Sequence, residues 1–157
     1  MMRGKTARDL NEAEVRDIAL RYLGLREYGI EELRQKLLHR GVESDIADKV
    51  VGDLADADLV SDQRFTEMYV RTRIRRLFGP LKIRGELRGK GISDFLIGKA
   101  MPVEQEAWFD AATQWASKRC VGELDYAGRA KIYRSLLNRG FTHEQANVAL
   151  DGLNSRV

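Results

Sequence analysis

The sequence is poor in the residues that build covalent or metal-held structure. It contains one cysteine, Cys120, so no disulfide can form within the chain, and this fits a reducing compartment. Its two histidines, His39 and His143, are far apart, and neither stands at a zinc-ligand spacing from another candidate ligand. The sequence therefore predicts no structural metal site and no cofactor.

Long hydrophobic runs are absent as well. No apolar stretch approaches the roughly 18 residues that a membrane-spanning helix requires. The segment from Met1 to Asp9 lacks the apolar centre of a signal peptide. Only two prolines interrupt a chain that is 43% hydrophobic and 32% charged, which is typical of a helix-rich, soluble protein. We expect a cytoplasmic protein that has no membrane partner.

Residue combinations that carry catalysis are also missing. No Ser-His-Asp, Cys-His or paired-carboxylate arrangement can be assembled, because both histidines stand in polar contexts at predicted helix ends. The segment with Gly85, Gly89 and Lys90 superficially resembles a phosphate-binding loop. However, its glycines are one residue too close, Gly91 replaces the Ser or Thr that would meet Mg²⁺, and no strand precedes it. The sequence predicts a binding protein and not an enzyme.

Four carboxylates cluster around one connection, at Asp53, Asp56, Asp58 and Asp62. A metal-dependent nuclease that uses the first three is the enzymatic alternative, and it requires Mg²⁺-dependent cleavage that Asp56→Ala abolishes. Such a site needs ligands that converge on a rigid scaffold, whereas these lie at a predicted helix end and a turn. We favour a solvated turn, with Ser61 as the N-cap of the next helix.

One pattern occurs three times in the chain. An apolar residue is followed four positions later by another, then by a basic residue, a glycine and a large apolar residue. The copies are Leu33–Val42, Ile83–Ile92 and Ile132–Phe141, so the starting positions 33, 83 and 132 differ by 50 and 49 residues. The two apolar residues share a helical face, the basic residue suits the helix dipole, and the glycine suits a left-handed helix end. This period predicts three small helical bundles in a row.

The repeat divides the chain into a lead-in and three units. The assigned boundaries are 1–13 for a flexible N-terminal lead-in, then 14–60, 61–102 (the basic unit) and 103–157 for three three-helix repeats. Phe78-Gly79-Pro80 should lead into the central helix that Gly91 ends. Trp108 and Trp115 share a helical stripe with alanines, which indicates core and not a base-stacking surface. The third copy departs from the pattern, since it has Tyr126-Ala127-Gly128 where the others have an aromatic residue directly before glycine.

Positive charge is concentrated in the second unit. Eight basic residues and one acidic residue, Glu86, lie between Arg71 and Lys90, although the whole chain has a net charge of +3. The rest of the chain is therefore net negative. Such concentration is typical of a surface that contacts a polyanion or an acidic protein. The predicted contact residues are Arg71, Arg73, Arg75, Arg76, Lys82, Arg84, Arg88 and Lys90.

The three motifs together resemble those of the bacterial RecX family. The resemblance rests on Tyr28–Val42, Phe78–Ile92 and Leu136–Phe141, and also on Asp62–Phe65 leading to Tyr69–Arg71. It implies an all-α, elongated and curved solenoid of three tandem three-helix repeats that regulates the RecA recombinase without catalysis. RecX proteins bind the RecA–DNA filament along its groove and usually restrain filament growth, ATP hydrolysis and strand exchange. The implied partner is the RecA filament, and direct contact with single- or double-stranded DNA stays open; a monomer is the default.

The same residues permit a second interpretation, a helical-repeat module that binds DNA without RecA. Contact between six basic residues and single-strand phosphates would give a slope of about −4 in log K against log salt. Loss of that binding on Arg75→Ala and Arg84→Ala, with no effect on the recombinase, would favour this interpretation. For the regulator, filament-end capping and groove binding both remain open.

Overall fold

The computed structural model describes residues 9–154, and these residues form nine α-helices and no β-strand. In chain order the helices are α1 (Glu12–Leu25), α2 (Ile30–His39), α3 (Ser44–Asp56), α4 (Asp62–Arg75), α5 (Pro80–Gly89), α6 (Asp94–Ala100), α7 (Gln105–Arg119), α8 (Tyr126–Asn138) and α9 (His143–Asn154). None of the helices in this range is both long and apolar enough to cross a membrane.

The first helix begins earlier than the sequence pattern predicts. The side chain of Asn11 accepts a hydrogen bond from the Glu14 amide at 2.9 Å, so it caps α1, which starts at Glu12. Most of the predicted flexible lead-in, residues 1–8, lies outside the described residues.

The helices pack in three consecutive groups, and in each group every helix contacts the other two. Each group has its own hydrophobic core. The two apolar repeat positions are buried in every group: Leu33 and Leu37, Ile83 and Leu87, Ile132 and Leu136. The prediction of an all-α helical-repeat fold is therefore confirmed, and we refer to the three groups as units 1, 2 and 3.

The glycine after the second helix of each unit has the predicted left-handed conformation. Its φ angle is 91° at Gly41, 79° at Gly91 and 95° at Gly140. The amide after each glycine donates back into the last helical turn, as Phe141 N does to Leu136 O at 3.1 Å. This is the Schellman arrangement, which satisfies carbonyls that the helix end would otherwise leave unpaired.

The second helix of unit 3 is longer than its counterparts, with 13 residues in α8 against 10 in α2 and 10 in α5. Gly128 stands at the spacing from Gly140 that Gly79 has from Gly91, but it lies inside α8. Asp125 caps the helix one turn earlier, since its Oδ1 accepts from Gly128 N at 2.7 Å. The third copy therefore differs from the first two in sequence because its second helix has an additional turn at the N-terminus.

Helix α7 contributes to two cores. Trp115 packs in the core of unit 3, whereas Trp108 packs in the core of unit 2. Leu77, in the turn after α4, packs in the core of unit 3 in return. Both tryptophans are buried as the sequence predicts, and their division between two cores ties units 2 and 3 together.

Units 2 and 3 also join through backbone. Gly79 N donates to Arg139 O at 2.8 Å, and Leu81 N donates to Gly140 O at 2.9 Å. The two glycine segments approach so closely that a Cβ on Gly79 would lie 2.2 Å from the carbonyl carbon of Gly140. Glycine at position 79 is therefore a packing requirement.

Units 1 and 2 join through side chains instead. Hydrogen bonds that use at least one side chain cross between them, among them Ile30 N to Asp62 Oδ1 at 2.8 Å, Lys90 Nζ to Glu32 Oε2 at 2.9 Å, and Arg64 Nε to Glu27 Oε1 at 3.0 Å. Contacts of this kind adapt to small displacements more readily than a pair of backbone segments in contact, so the two junctions differ in character.

Candidate partner-binding surface

The eight predicted contact residues all lie on α4, α5 and their C-caps. They are Arg71, Arg73 and Arg75 in α4, Arg76 as its C-cap, Lys82, Arg84 and Arg88 in α5, and Lys90 as its C-cap. The structure separates those that have a partner within residues 9–154 from those that have none there.

Arg73 is paired within unit 2. Its Nε lies 3.1 Å from Glu86 Oε2, and a second guanidinium nitrogen bonds the same oxygen. The hydroxyl of Tyr69 donates to that oxygen too. The Arg73 and Glu86 side chains are only 25% and 21% exposed, so this network holds α4 against α5 and offsets the charge of Arg73.

The network lowers the pKa of Glu86. Burial by itself would raise the pKa, but hydrogen bonds from Tyr69 and Arg73 and the charge of Arg73 outweigh burial. The pKa of Glu32 is lowered for the same reasons. Burial raises this pKa, but the hydrogen bonds from Arg26 and Lys90 and their positive charges outweigh the effect of burial. Both carboxyl groups therefore stay ionised to a lower pH than an ordinary glutamate.

We expect the protein to lose stability in acid as these two carboxylates become protonated. A carboxyl group whose pKa is lowered by folding contributes stability that is fully present above its unfolded pKa, about 4.3, and is lost as the pH falls through the folded pKa. Urea unfolding of the wild type and Glu86→Gln, measured from about pH 6 down to pH 3, checks this. The variant should show a shallower loss, and identical pH profiles would contradict the assignment.

Two more of the eight residues have partners. Lys90 Nζ bonds Glu32 of unit 1 and lies 5.8 Å from the ring centre of Tyr69, so its charge helps to join units 1 and 2. Arg88 Nε lies 2.8 Å from Asp94 Oδ1 in an exposed pair. Because exposed ion pairs are weak, Arg88 can exchange Asp94 for an external anion at little cost.

Four arginines remain exposed, and their side chains have no hydrogen bond, ion pair or ring contact within residues 9–154: Arg71, Arg75, Arg76 and Arg84. We call them the exposed arginine set. Their planar guanidinium groups are free to pair bidentately with carboxylate or phosphate. Lys82 is exposed as well, with its Nζ 5.3 Å from the ring centre of Phe78.

Two arginines outside the eight predicted contact residues lie beside this surface. The guanidinium carbon of Arg139 lies 4.0 Å from the ring centre of Phe78, and that of Arg119 lies 4.5 Å from Trp115. Arg139 Nε donates to Leu77 O at 2.9 Å, so it reaches back to unit 2 as Lys90 reaches back to unit 1. Arg139 could have been found from the sequence, because it occupies the basic position before the repeat glycine, as Arg40 and Lys90 do. No pattern in the sequence pointed to Arg119.

Three of the four carboxylates clustered around the connection between α3 and α4, those of Asp53, Asp58 and Asp62, bond to nearby residues. Asp53 pairs with Lys49 at 2.6 Å, Asp58 pairs with Arg64 at 3.1 Å, Asp62 accepts the Ile30 amide, and Ser61 Oγ accepts from Arg64 N at 3.2 Å. Across residues 9–154 no group of His, Cys, Asp and Glu side chains is placed to hold a metal ion. The predicted capping role of Ser61 is confirmed.

Comparison with known protein families matches two profiles to the first two units. The profile described as "RecX, first three-helix domain" matches residues 8–54, and "RecX, second three-helix domain" matches residues 61–101. Two solved structures are similar over most of the chain at 25% identity. A crystal structure of RecX from Lactobacillus salivarius has a TM-score of 0.76 and covers 92% of this chain and 97% of that one. A second, a crystal structure of regulatory protein RecX, has a TM-score of 0.78 and covers 89% and 73%.

Curated sequences give the same result at higher identity. Regulatory protein RecX of Chromohalobacter salexigens is 39% identical over 140 residues, which are 88% of this chain and 92% of that protein. Its counterpart in Halorhodospira halophila is 36% identical over 138 residues, or 86% and 85% of the two chains. The protein of Legionella pneumophila is 37% identical over 130 residues, or 82% and 87%. This chain therefore belongs to the RecX family of regulatory proteins.

Proposed function

We propose that this protein is a non-enzymatic regulator of the RecA recombinase. In this proposal it binds the RecA–DNA filament and restrains filament growth, ATP hydrolysis and strand exchange, and so acts in recombination and DNA repair. It acts as a monomer in the cytoplasm, where RecA assembles on DNA. Membership of a family of regulatory proteins supports the regulatory role. The observation that carries the proposal is the exposed arginine set on α4 and α5, whose charges have no partner within residues 9–154.

A row of three bundles suits an extended partner. Each unit contacts its neighbours in the row, so the chain presents a long surface that can follow a helical groove across several protomers. Many modest contacts then add along that surface. The exposed arginines pair with carboxylates of the recombinase, with phosphates exposed in the groove, or with both. Binding that blocks protomer addition, or that bridges protomers in a state that hydrolyses ATP slowly, changes the filament without a catalytic residue.

The test is the rate of single-stranded-DNA-dependent ATP hydrolysis by the cognate RecA while this protein is titrated at substoichiometric ratios. We expect the rate to fall at low ratios. The double variant Arg75→Ala/Arg84→Ala should require a concentration at least roughly tenfold higher, since one charge-assisted hydrogen bond contributes about 1.5 kcal/mol or more.

The matched control is Arg21→Ala/Arg134→Ala, which removes the same charge from exposed positions in units 1 and 3. It should inhibit like the wild type. An unchanged hydrolysis rate at every ratio, with filaments intact, would contradict regulation. Equal inhibition by both double variants would contradict the assignment to the exposed arginine set.

A further inference from the structure

Four basic side chains from two units surround two aromatic rings where units 2 and 3 meet. Around Phe78, the guanidinium carbons of Arg139 and Arg73 lie 4.0 and 4.5 Å from the ring centre, and Lys82 Nζ lies at 5.3 Å. Around Trp115, the guanidinium carbons of Arg119 and Arg139 lie at 4.5 and 5.4 Å. Arg73, Lys82, Arg119 and Arg139 are called the junction cluster below.

Positive charge in the junction cluster exceeds negative charge. Within residues 9–154, Arg73 has an ion pair with Glu86, whereas Lys82, Arg119 and Arg139 have none. Burial lowers the pKa of Arg139, and the positive charges of Arg119 and Arg73 lower it further. Like charges therefore repel one another in the free protein, and a bound anion would relieve that repulsion.

The inner two members are fixed in place. Arg139 donates to Leu77 O at 2.9 Å and to Arg76 O at 2.6 Å, while Arg73 is held by Glu86. Stacking on an aromatic face further restricts each guanidinium. The outer two members, Lys82 and Arg119, are exposed. An anion that enters the cluster thus contacts two cations that are already fixed in place and two that can adjust their position. Because the first two lose little conformational freedom on binding, the entropy cost of binding is reduced.

We propose that the junction cluster binds phosphate groups of a nucleic-acid backbone, and a single-stranded oligonucleotide is the probe that tests this. This inference goes beyond the proposed function, because it concerns nucleic acid alone and requires no RecA. It assigns a role to unit 3, through Arg119 and Arg139, in a surface that continues into the exposed arginine set at Arg75 and Arg76.

The surroundings favour a nucleic acid over an acidic protein segment. Protein interfaces usually have an exposed apolar or aromatic anchor at their centre. In the junction cluster Trp115 is only 6% exposed, and Phe78 has cations over its ring. The exposed apolar side chains of this region, Leu81 and Val103, line a different cleft together with Trp108. Charge without an apolar anchor is typical of phosphate contact, which is independent of sequence because the rings are not free to stack on bases.

The experiment measures binding of the full chain to a fluorescently labelled, single-stranded oligonucleotide by anisotropy, in the absence of RecA and over a series of salt concentrations. The variant is Lys82→Ala/Arg119→Ala. Its matched control is Lys131→Ala/Arg134→Ala, which also removes one exposed lysine and one exposed arginine but from the surface of α8. Thermal unfolding of each protein confirms that it is folded.

We expect the junction variant to bind at least roughly tenfold more weakly than the wild type, and its salt slope to be shallower by about 1.4 because two phosphate contacts are lost. The control should bind like the wild type. Equal affinities for variant and wild type, or no binding by the wild type at low salt, would overturn the proposal. Loss of binding to polyglutamate in the junction variant, with oligonucleotide binding unchanged, would also overturn it and would identify an acidic protein as the ligand. None of these outcomes depends on the ATP hydrolysis assay, so the two proposals can fail separately.

Discussion

Gly79→Ala is expected to destabilise the protein by about 3–5 kcal/mol. The new Cβ would lie 2.2 Å from the carbonyl carbon of Gly140 and 2.3 Å from Phe141 N, and these backbone atoms cannot rotate away as a side chain can. Overpacking typically costs about 1–3 kcal/mol. Displacement of the segments would also weaken two backbone hydrogen bonds, Gly79 N to Arg139 O and Leu81 N to Gly140 O, each worth about 1 kcal/mol.

The control for this prediction is a glycine in the helix that follows. A Cβ on Gly85 meets nothing within 4 Å, and Gly85 lies inside α5. Gly85→Ala should therefore stabilise the protein by about 0.5–1 kcal/mol, because alanine loses less backbone entropy in a helix. Urea unfolding followed by circular dichroism measures both changes. A Gly79→Ala protein as stable as the wild type would contradict the close backbone contact between units 2 and 3.

Leu87→Ala is expected to cost about 2–5 kcal/mol and to affect units 2 and 3 together. Leu87 is fully buried, and truncation of a buried leucine removes apolar contacts and leaves a cavity. Trp108 of α7 packs in the core of unit 2, and Leu77, which follows α4, packs in the core of unit 3. Because each core contains a residue from the other unit, loosening unit 2 also loosens unit 3. Amide hydrogen exchange should become faster in helices α4 to α9.

The matched variant is Leu37→Ala, at the same repeat position of unit 1 and equally buried. Its local cost in stability should be similar, but faster exchange should be confined largely to α1, α2 and α3. Each hydrogen bond described above between units 1 and 2 has a side chain as at least one partner, whereas units 2 and 3 also bond backbone to backbone. Equal acceleration in all three units of the Leu37→Ala protein would show that the two junctions are equally coupled.

Features that depend on neighbouring residues could be predicted from the sequence. The three repeat glycines, the Ser61 N-cap and the buried repeat positions all follow from spacing within one or two helical turns. Thr142 and Gln145 stand three positions apart, which is the spacing of a capping box, so this helix start is a further case. Thr142 N donates to Gln145 Oε1 at 3.0 Å, and Gln145 N donates to Thr142 Oγ1 at 3.2 Å. These local signals were sufficient for the helices and for the all-α repeat fold.

Features that depend on distant segments could not be predicted. The eight basic residues were assigned to one surface because they lie close together in the sequence. One of them, Lys90, instead bonds Glu32 in another unit, 58 positions away. The contact between Arg139 and Leu77 O joins positions 62 apart. The periodicity of an apolar residue indicates that it faces a core, but it does not indicate which core. Trp108, which the sequence assigned to the third unit, packs in the core of unit 2. Charge density along the chain thus indicated a candidate surface, but the partners of its residues could be identified only from the structure.

The added turn of α8 bears on whether copies of this protein can polymerise. A row of similar units with complementary ends is prone to head-to-tail contact, which produces open fibres where the rotation between copies does not close a ring. In unit 2 the amides of Gly79 and Leu81 donate to carbonyls of the next unit. In unit 3 the amide of Gly128, at the corresponding spacing, is already bonded to Asp125 within the added turn of α8. The amide that would make the corresponding backbone hydrogen bond to a further unit is thus already used inside unit 3.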